Sequence, residues 1–116
     1  MKILYLEDQE AFADIVRRQF LAEHDVTIVA TLAAARAVME LDKFDVLLAD
    51  YDLPDGKGDA FVGEFHCRFP RCLIIAVSSH EAGNQALLNA GAMASCGKLD
   101  FSRIGSLIAK KKAEAE

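Results

Sequence analysis

Basic residues are in deficit: thirteen Lys and Arg stand against eighteen Asp and Glu, a formal charge of −5. Phosphate-backbone binding wants a concentrated positive footprint, so a nucleic-acid-binding domain is disfavoured. Cysteine is scarce and odd in number. Cys67, Cys72 and Cys96 form no C-x-x-C pair, which argues against a disulfide framework or a zinc site and for free thiols in a reducing cytosol. Long hydrophobic runs are missing too. Met1 to Leu6 is apolar but meets Glu7 and Asp8 at once, too short for a signal-peptide core. The longest uncharged stretch, Ala82 to Gly97, carries Asn84, Gln85, Asn89 and four further glycine or serine positions, and is no membrane span. There is no linker, internal repeat or low-complexity segment apart from the terminal KKKAEAE, which reads as a frayed end.

What is there suits one folded domain over residues 1–116. Hydrophobic residues make up 53% and charged residues 27%, which excludes an intrinsically disordered chain. A chain of this size buries roughly two-thirds of what its unfolded form exposes, enough for one core without staples.

Short apolar runs alternate with helical patterns. Ile3–Leu6, Val26–Ala30, Val46–Ala49, Leu73–Val77 and, more weakly, Ala92–Cys96 are continuous apolar segments. Continuous rather than alternating apolarity predicts strands covered on both faces, as in a parallel sheet. Between them Phe12, Ile15, Val16 and Phe20 make one helical face. Ala35, Val38 and Met39 follow Thr31, a predicted N-cap. Phe61, Val62, Phe65 and Phe69 precede Pro70, where a helix must stop. Ala82, Ala86, Leu87 and Ala90 are closed by Gly91 as a C′ residue, and Ile104, Leu107 and Ile108 give the last helix. The reading is an α/β, (βα)5 doubly wound parallel five-stranded sheet with right-handed crossovers.

Ligands of such sheets sit beyond the carboxyl ends of the strands. The first strand runs into Glu7-Asp8, the third into Asp50, the fourth into Ser78-Ser79, and the fifth ends near Lys98. Three carboxylates, a hydroxyl and an ammonium are therefore expected along one rim. Two carboxylates about 4.5 Å apart repel by roughly 3–4 kcal/mol at an effective dielectric near 20, and three such pairs by on the order of 10 kcal/mol. Either some protonate or a cation joins them. Hard oxygen ligands with open positions suit Mg²⁺. Beside the metal, Asp50 is a candidate carboxylate nucleophile toward a phosphoryl group, with Lys98 and Ser78 placed to meet its oxygens.

These residues carry a resemblance. The acidic pair in LYLEDQE, the strand and loop LLADYDLPDGKG, the strand end IIAVSS and the segment AGAMASCGK are similar, in order and spacing, to a response-regulator receiver domain of two-component signalling, of the stand-alone chemotaxis type. The resemblance spans nearly the whole chain. It implies a flavodoxin-like strand order 2-1-3-4-5 and Asp50 as phosphoacceptor. It also implies Asp8 as direct metal ligand, Glu7 acting through water, the backbone carbonyl of Asp52 as a further metal contact, Ser78 as switch hydroxyl and Lys98 as phosphate-binding lysine. A histidine kinase or histidine phosphotransfer protein would supply the phosphoryl group in the cytoplasm, with Mg²⁺ as cofactor and a downstream protein as target. Neither turnover as an enzyme, nucleic-acid contact nor membrane insertion is implied.

The chain departs from the family pattern at four places. Leu99 follows the lysine where proline is usual. Ser95 stands where an aromatic switch residue is usual, and a serine cannot move a ring. The stretch from Ser78 to Ala90 is about two residues short, which predicts a truncated or irregular fourth helix. Asp52 adds an acid two positions beyond the acceptor.

Plainer readings stand beside these. Asp8 can cap the first helix, Asp50 can be an Asx-turn residue, and Ser78 with Glu81 fits a capping box. Leu53-Pro54-Asp55-Gly56 is turn chemistry, and His24, His66 and His80 share no ligand spacing. Two other functions compete: a degenerate receiver acting as a phosphorylation-independent adaptor, and a haloacid-dehalogenase-like phosphatase using Asp50 and Asp52. The phosphatase reading is the weaker, because that family carries its motif on the first strand of a longer chain. An FMN binder is disfavoured, since no glycine- and hydroxyl-rich loop follows the first strand.

Overall fold

The computed structural model describes residues 1–115. In chain order the elements are β1 (Lys2–Leu6), α1 (Glu10–Phe20), β2 (Asp25–Val29), α2 (Leu32–Leu41), β3 (Val46–Ala49), β4 (Asp52–Leu53), β5 (Gly56–Lys57), α3 (Gly58–Arg68), β6 (Leu73–Ala76), α4 (Glu81–Ala90), β7 (Ala94–Ser95), a 3-10 segment (Lys98–Arg103) and α5 (Ile104–Ala115). Five strands form one parallel sheet in the order β2-β1-β3-β6-β7. Counted among themselves these are strands 2-1-3-4-5, the order that the resemblance implies.

The continuous apolar runs are explained by two cores, one on each face. In β1, Ile3 and Tyr5 pack with Ala13 and Val16 of α1 and with Ile104 and Ile108 of α5. Leu4 and Leu6 point the other way, among Ala35 of α2, Phe61 and Phe65 of α3 and Leu87 of α4. The same division recurs in β3, where Val46 and Leu48 join the first core and Leu47 and Ala49 the second. Successive side chains alternate across a strand, so a strand buried on both faces needs an apolar residue at every position. The winding reverses between β1 and β3, which pair in parallel, and the carboxyl ends there border the crevice that such folds use.

Several sequence expectations are corrected. Ile15 is 42% exposed, and the buried face of α1 is carried by Ala13 and Val16, with Phe12 and Phe20 half-buried beside them. The fifth strand is only Ala94–Ser95, because only Ile75 and Ala76 find partners in it. α4 is neither truncated nor irregular: it runs ten residues and ends on Gly91, whose φ of 136° favours glycine. The loop before it is Val77-Ser78-Ser79-His80. Of the terminal KKKAEAE, Lys110 to Ala115 continue α5, and Glu116 lies outside the described residues. The cysteines are free, with Cys67 exposed and Cys72 and Cys96 buried. Burial pushes the Cys72 thiol up to about 11 and raises that of Cys96, so both are poor nucleophiles.

One element was not foreseen. Beyond Asp50 the chain makes a miniature antiparallel ribbon, β4 with β5, turned by Pro54-Asp55. Gly56 follows with φ 146° and lies so close to α2 that a Cβ would sit 2.9 Å from Leu32 Cδ1. The Asp55 carboxylate caps α2 from outside: Oδ1 accepts from Leu32 N–H at 2.8 Å and Oδ2 from Ala33 N–H at 3.0 Å. Thr31, the expected N-cap, accepts from Ala34 N–H at 3.0 Å. The loop after Asp50 is thereby tied to the amides that a helix start leaves unpaired. Those two amide bonds hold the Asp55 carboxyl below its usual 3.8. A depressed folded value means stability present at neutral pH and lost as pH falls through that value. Asp55→Ala should therefore melt below the parent at neutral pH, and the gap should close in acid as the parent protonates. A gap unchanged in acid would contradict the cap.

Candidate phosphoryl-acceptor site

Each strand end delivers its residue by a backbone bond. Glu7 N–H donates to Val29 O at 2.9 Å, Asp50 N–H to Leu6 O at 3.1 Å and Val77 N–H to Ala49 O at 2.9 Å. These bonds extend the sheet by one residue and carry Glu7, Asp8, Asp50 and Ser78 to a common rim. Glu7 is fully buried and Asp50 is 5% exposed, whereas Asp8 is exposed. Carboxylate oxygens of Glu7, Asp8 and Asp50 all lie within 4.8 Å of one another.

Lys98 arrives from the far end of the chain, at the start of the 3-10 segment, and joins two of the acids. Its Nζ is 2.7 Å from Glu7 Oε1 and 3.1 Å from Asp50 Oδ2, and it lies 5.4 Å from the centre of the Phe12 ring. The second Glu7 oxygen accepts from Gln9 N–H at 3.1 Å, and Asp50 Oδ1 accepts from Tyr51 N–H at 2.8 Å. Burial pushes the Glu7 carboxyl up, and Lys98 and the Gln9 amide draw it only part of the way back. Burial pulls Lys98 down, but its bonds to Glu7 and Asp50 outweigh that and hold it above its usual value. One ammonium faces three carboxylates, so the rim stays electronegative when all are ionised. The donor set is hard oxygen, in part already desolvated, which suits Mg²⁺.

Asp8 does not cap α1, whose N-cap position is Gln9. Asp50 Oδ1 accepts from the N–H of the next residue, Tyr51, rather than two residues on as an Asx turn requires. Ser78 is buried to 2% exposure but forms no capping box. The N-cap position of α4 is His80, two residues later, and Ser78 Oγ accepts from His80 N–H at 3.2 Å. Asp52 turns its carboxylate outward to an ion pair with Lys57 across the ribbon, so its side chain stands apart from the acidic cluster. Ser95 and Leu99 are exposed. The three histidines stand outside the acidic cluster, half-buried at His24 and His66 and exposed at His80.

Four residues that shape the site escaped the sequence reading. At Gly58 a Cβ would lie 1.9 Å from the Asp50 carbonyl oxygen, so α3 starts against the peptide of Asp50. Gly83 sits inside α4 with its Cα toward Ser78 and Tyr51, and a glycine within a helical pattern is itself a signal of close approach. Asn84 bonds Ser78 through the backbone, and no local pattern announces it. Tyr5, buried with its ring centre 6.1 Å from that of Phe101, has a hydroxyl without a hydrogen-bond partner among the described residues. Burial first, then the charges of Glu7 and Asp50, push that phenol far above its usual range.

The chain matches the response regulator receiver domain family over residues 3–101. Its fold superposes on a CheY-like response regulator receiver domain protein from Methanospirillum hungatei JF-1 with a TM-score of 0.88 and 28% identity, covering 98% of this chain and 94% of that one. The receiver domain of a Francisella response regulator superposes with a TM-score of 0.84 at 15% identity, covering 99% and 98%. The response regulator protein TrrA from Thermotoga maritima, solved in complex with Mg(2+)-BeF, gives 0.84 at 16% identity, covering 94% and 96%. The last two likenesses speak for the fold alone. A search of curated proteins finds no match. With its order of strands, its rim of acids and the family match in agreement, the chain belongs to the response regulator receiver domains.

Proposed function

We propose that Asp50 accepts a phosphoryl group from a phosphohistidine on a histidine kinase or phosphotransfer protein, and that the domain signals by the conformational change or relay that follows. The observation that carries this reading is the convergence at one rim of Glu7, Asp8 and Asp50 with Lys98 bridging two of them. The Asp50 carboxylate would attack phosphorus of a phosphohistidine protonated on its other ring nitrogen, forming the P–O bond of the acyl phosphate as the P–N bond breaks and leaving neutral imidazole on the donor. Lys98, already on Asp50 Oδ2, is placed to follow the charge onto the phosphoryl oxygens. Ser78 Oγ accepts from His80 N–H and keeps its own O–H to donate.

Mg²⁺ would be held by Asp8 and Asp50, by Glu7 through water and by the Asp52 carbonyl, and would supply neutralisation of the transferring oxygens. The Mg(2+)-BeF complex of TrrA supports this choice of cation. The domain would work in the cytoplasm as a single unit over residues 1–116, through protein contacts, and would not turn over small substrates. No helix among the described residues is long and apolar enough to cross a membrane. The phosphatase alternative draws no support from Asp52, whose carboxylate is engaged by Lys57.

The test is incubation with Mg²⁺ and acetyl phosphate, read by intact mass. One labile phosphoryl adduct, lost when Asp50 is replaced, supports the proposal. No adduct favours the adaptor, and repeated release of phosphate from a small phosphomonoester favours the phosphatase.

A further inference from the structure

We infer that Asp55 is a positioning residue for the metal seat. By capping α2 it fixes the β4–β5 ribbon and with it the Asp52 carbonyl, so Mg²⁺ affinity depends on a carboxylate bonded to α2 rather than to the ion. The inference rests on the Mg²⁺ reading of the Glu7, Asp8 and Asp50 rim and names a residue that serves it from outside.

The register of the ribbon leaves that carbonyl open. Asp52 pairs with Lys57 and Leu53 with Gly56, and Gly58 N–H donates to Tyr51 O at 2.6 Å. Hydrogen-bonded and non-hydrogen-bonded pairs alternate along an antiparallel ladder. The bond from Gly58 to Tyr51 therefore makes Asp52 and Lys57 a non-hydrogen-bonded pair. The ribbon spends neither the N–H nor the C=O of Asp52, and the carbonyl keeps its lone pairs for a ligand. Lys57 engages only the Asp52 side chain.

An open carbonyl must also be held in place. A hairpin this short is not stable by itself. Its base is tied by Gly58 to Tyr51, and its turn is tied by Asp55, whose two oxygens lie 2.8 Å from Leu32 N and 3.0 Å from Ala33 N. α2 is a firm anchor for that turn. Leu32, Ala35 and Met39 are buried, and Arg36 donates to both Glu64 oxygens on α3, at 3.0 and 2.9 Å. Asp55 and Asp52 are three residues apart, at most about 10 Å of chain, and Pro54 between them has its φ fixed by its ring. Once the turn is held, the Asp52 carbonyl has little slack.

Thr31 supplies the control, because it caps the same helix through Ala34 N–H from the N-cap position of α2, outside the ribbon. The experiment measures Mg²⁺ affinity by amide NMR titration of the parent chain, Asp55→Ala, Asp55→Asn and Thr31→Ala. Asp55→Asn keeps the size and one acceptor oxygen, and serves should the alanine variant fail to fold. Asp55→Ala should bind Mg²⁺ about tenfold more weakly, the lower end for outer partners of a metal site. Asp55→Asn should fall between, and Thr31→Ala should match the parent. Coupling is reciprocal, so saturating Mg²⁺ should slow amide exchange at Leu32 and Ala33 in the parent but not in Asp55→Ala. Equal affinity in the parent and both Asp55 variants overturns the positioning role, as does exchange at Leu32 and Ala33 that ignores Mg²⁺ in the parent. An equal loss of affinity in Thr31→Ala overturns it too, by making the effect one of helix stability. No saturable binding by the parent overturns the Mg²⁺ reading itself, and the positioning with it.

Discussion

Asp50→Ala should stay folded, melt at or above the parent temperature, and take no phosphoryl group from acetyl phosphate with Mg²⁺. The two halves of this expectation have one cause. Asp50 is nearly buried and faces two other carboxylates within 4.8 Å. At that separation an ion pair of like sign costs about 3 kcal/mol at an effective dielectric near 20. Removing Asp50 relieves that repulsion, while Lys98 keeps its 2.7 Å partner in Glu7, so no buried charge is left unpaired. The chemistry, in contrast, loses its nucleophile, and neither Asp8 nor Asp52 replaces it: Asp8 is exposed and Asp52 is held outward by Lys57. Intact mass and a thermal melt on one sample check both halves. An adduct at the parent's yield, or a large fall in melting temperature, would contradict the account.

Gly58→Ala should be the most damaging single methyl addition in the chain. Its Cβ would lie 1.9 Å from the Asp50 carbonyl oxygen and 3.3 Å from Tyr51 Cα. Both obstacles are backbone, so no rotamer relieves them. Either α3 backs away, breaking the 2.6 Å bond from Gly58 N–H to Tyr51 O, or the Asp50 peptide moves and the acceptor is misplaced. The cost belongs at the upper end of overpacking, about 3 kcal/mol or more, a fall of roughly 10 °C in Tm. Phosphoryl uptake should fall with it. Gly63→Ala is the matched control, since nothing lies within 4 Å of a Cβ there, and removing a helix glycine stabilises by up to about 1 kcal/mol. Equal melting of the two variants would refute the close approach.

The parts legible in the sequence were those that local pattern determines. β1, β3 and β6 must be apolar at every position because both faces are covered, so Ile3–Leu6, Val46–Ala49 and Leu73–Ala76 stand out. The acids beyond them stand out because each follows such a run directly. What stayed hidden depends on partners far apart in sequence. Lys98 was expected on the rim, but its direct bridge between Glu7, ninety-one positions away, and Asp50, forty-eight away, was not. Asp55 caps a helix that begins twenty-three residues earlier. The S-x-x-E spacing of Ser78 and Glu81 was misleading for a nearer reason: α4 begins at Glu81 with His80 at its N-cap position, and Ser78 is held by the side-chain amide of Asn84, six residues on. Ile15 fits the helical period of α1, yet it falls at the edge of the face that Ala13 and Val16 bury.

The central claim is that Glu7, Asp8 and Asp50 form a single electronegative seat for a divalent cation beside a reactive carboxylate. Titration of the metal-free chain with Mg²⁺, followed by amide NMR, tests it most directly. Saturable shifts concentrated at Glu7, Asp8, Asp50 to Asp52 and Lys98, and absent from Asp8→Ala, are the expected result. Weak, non-saturating shifts scattered over the acidic surface, unchanged by that substitution, would contradict it.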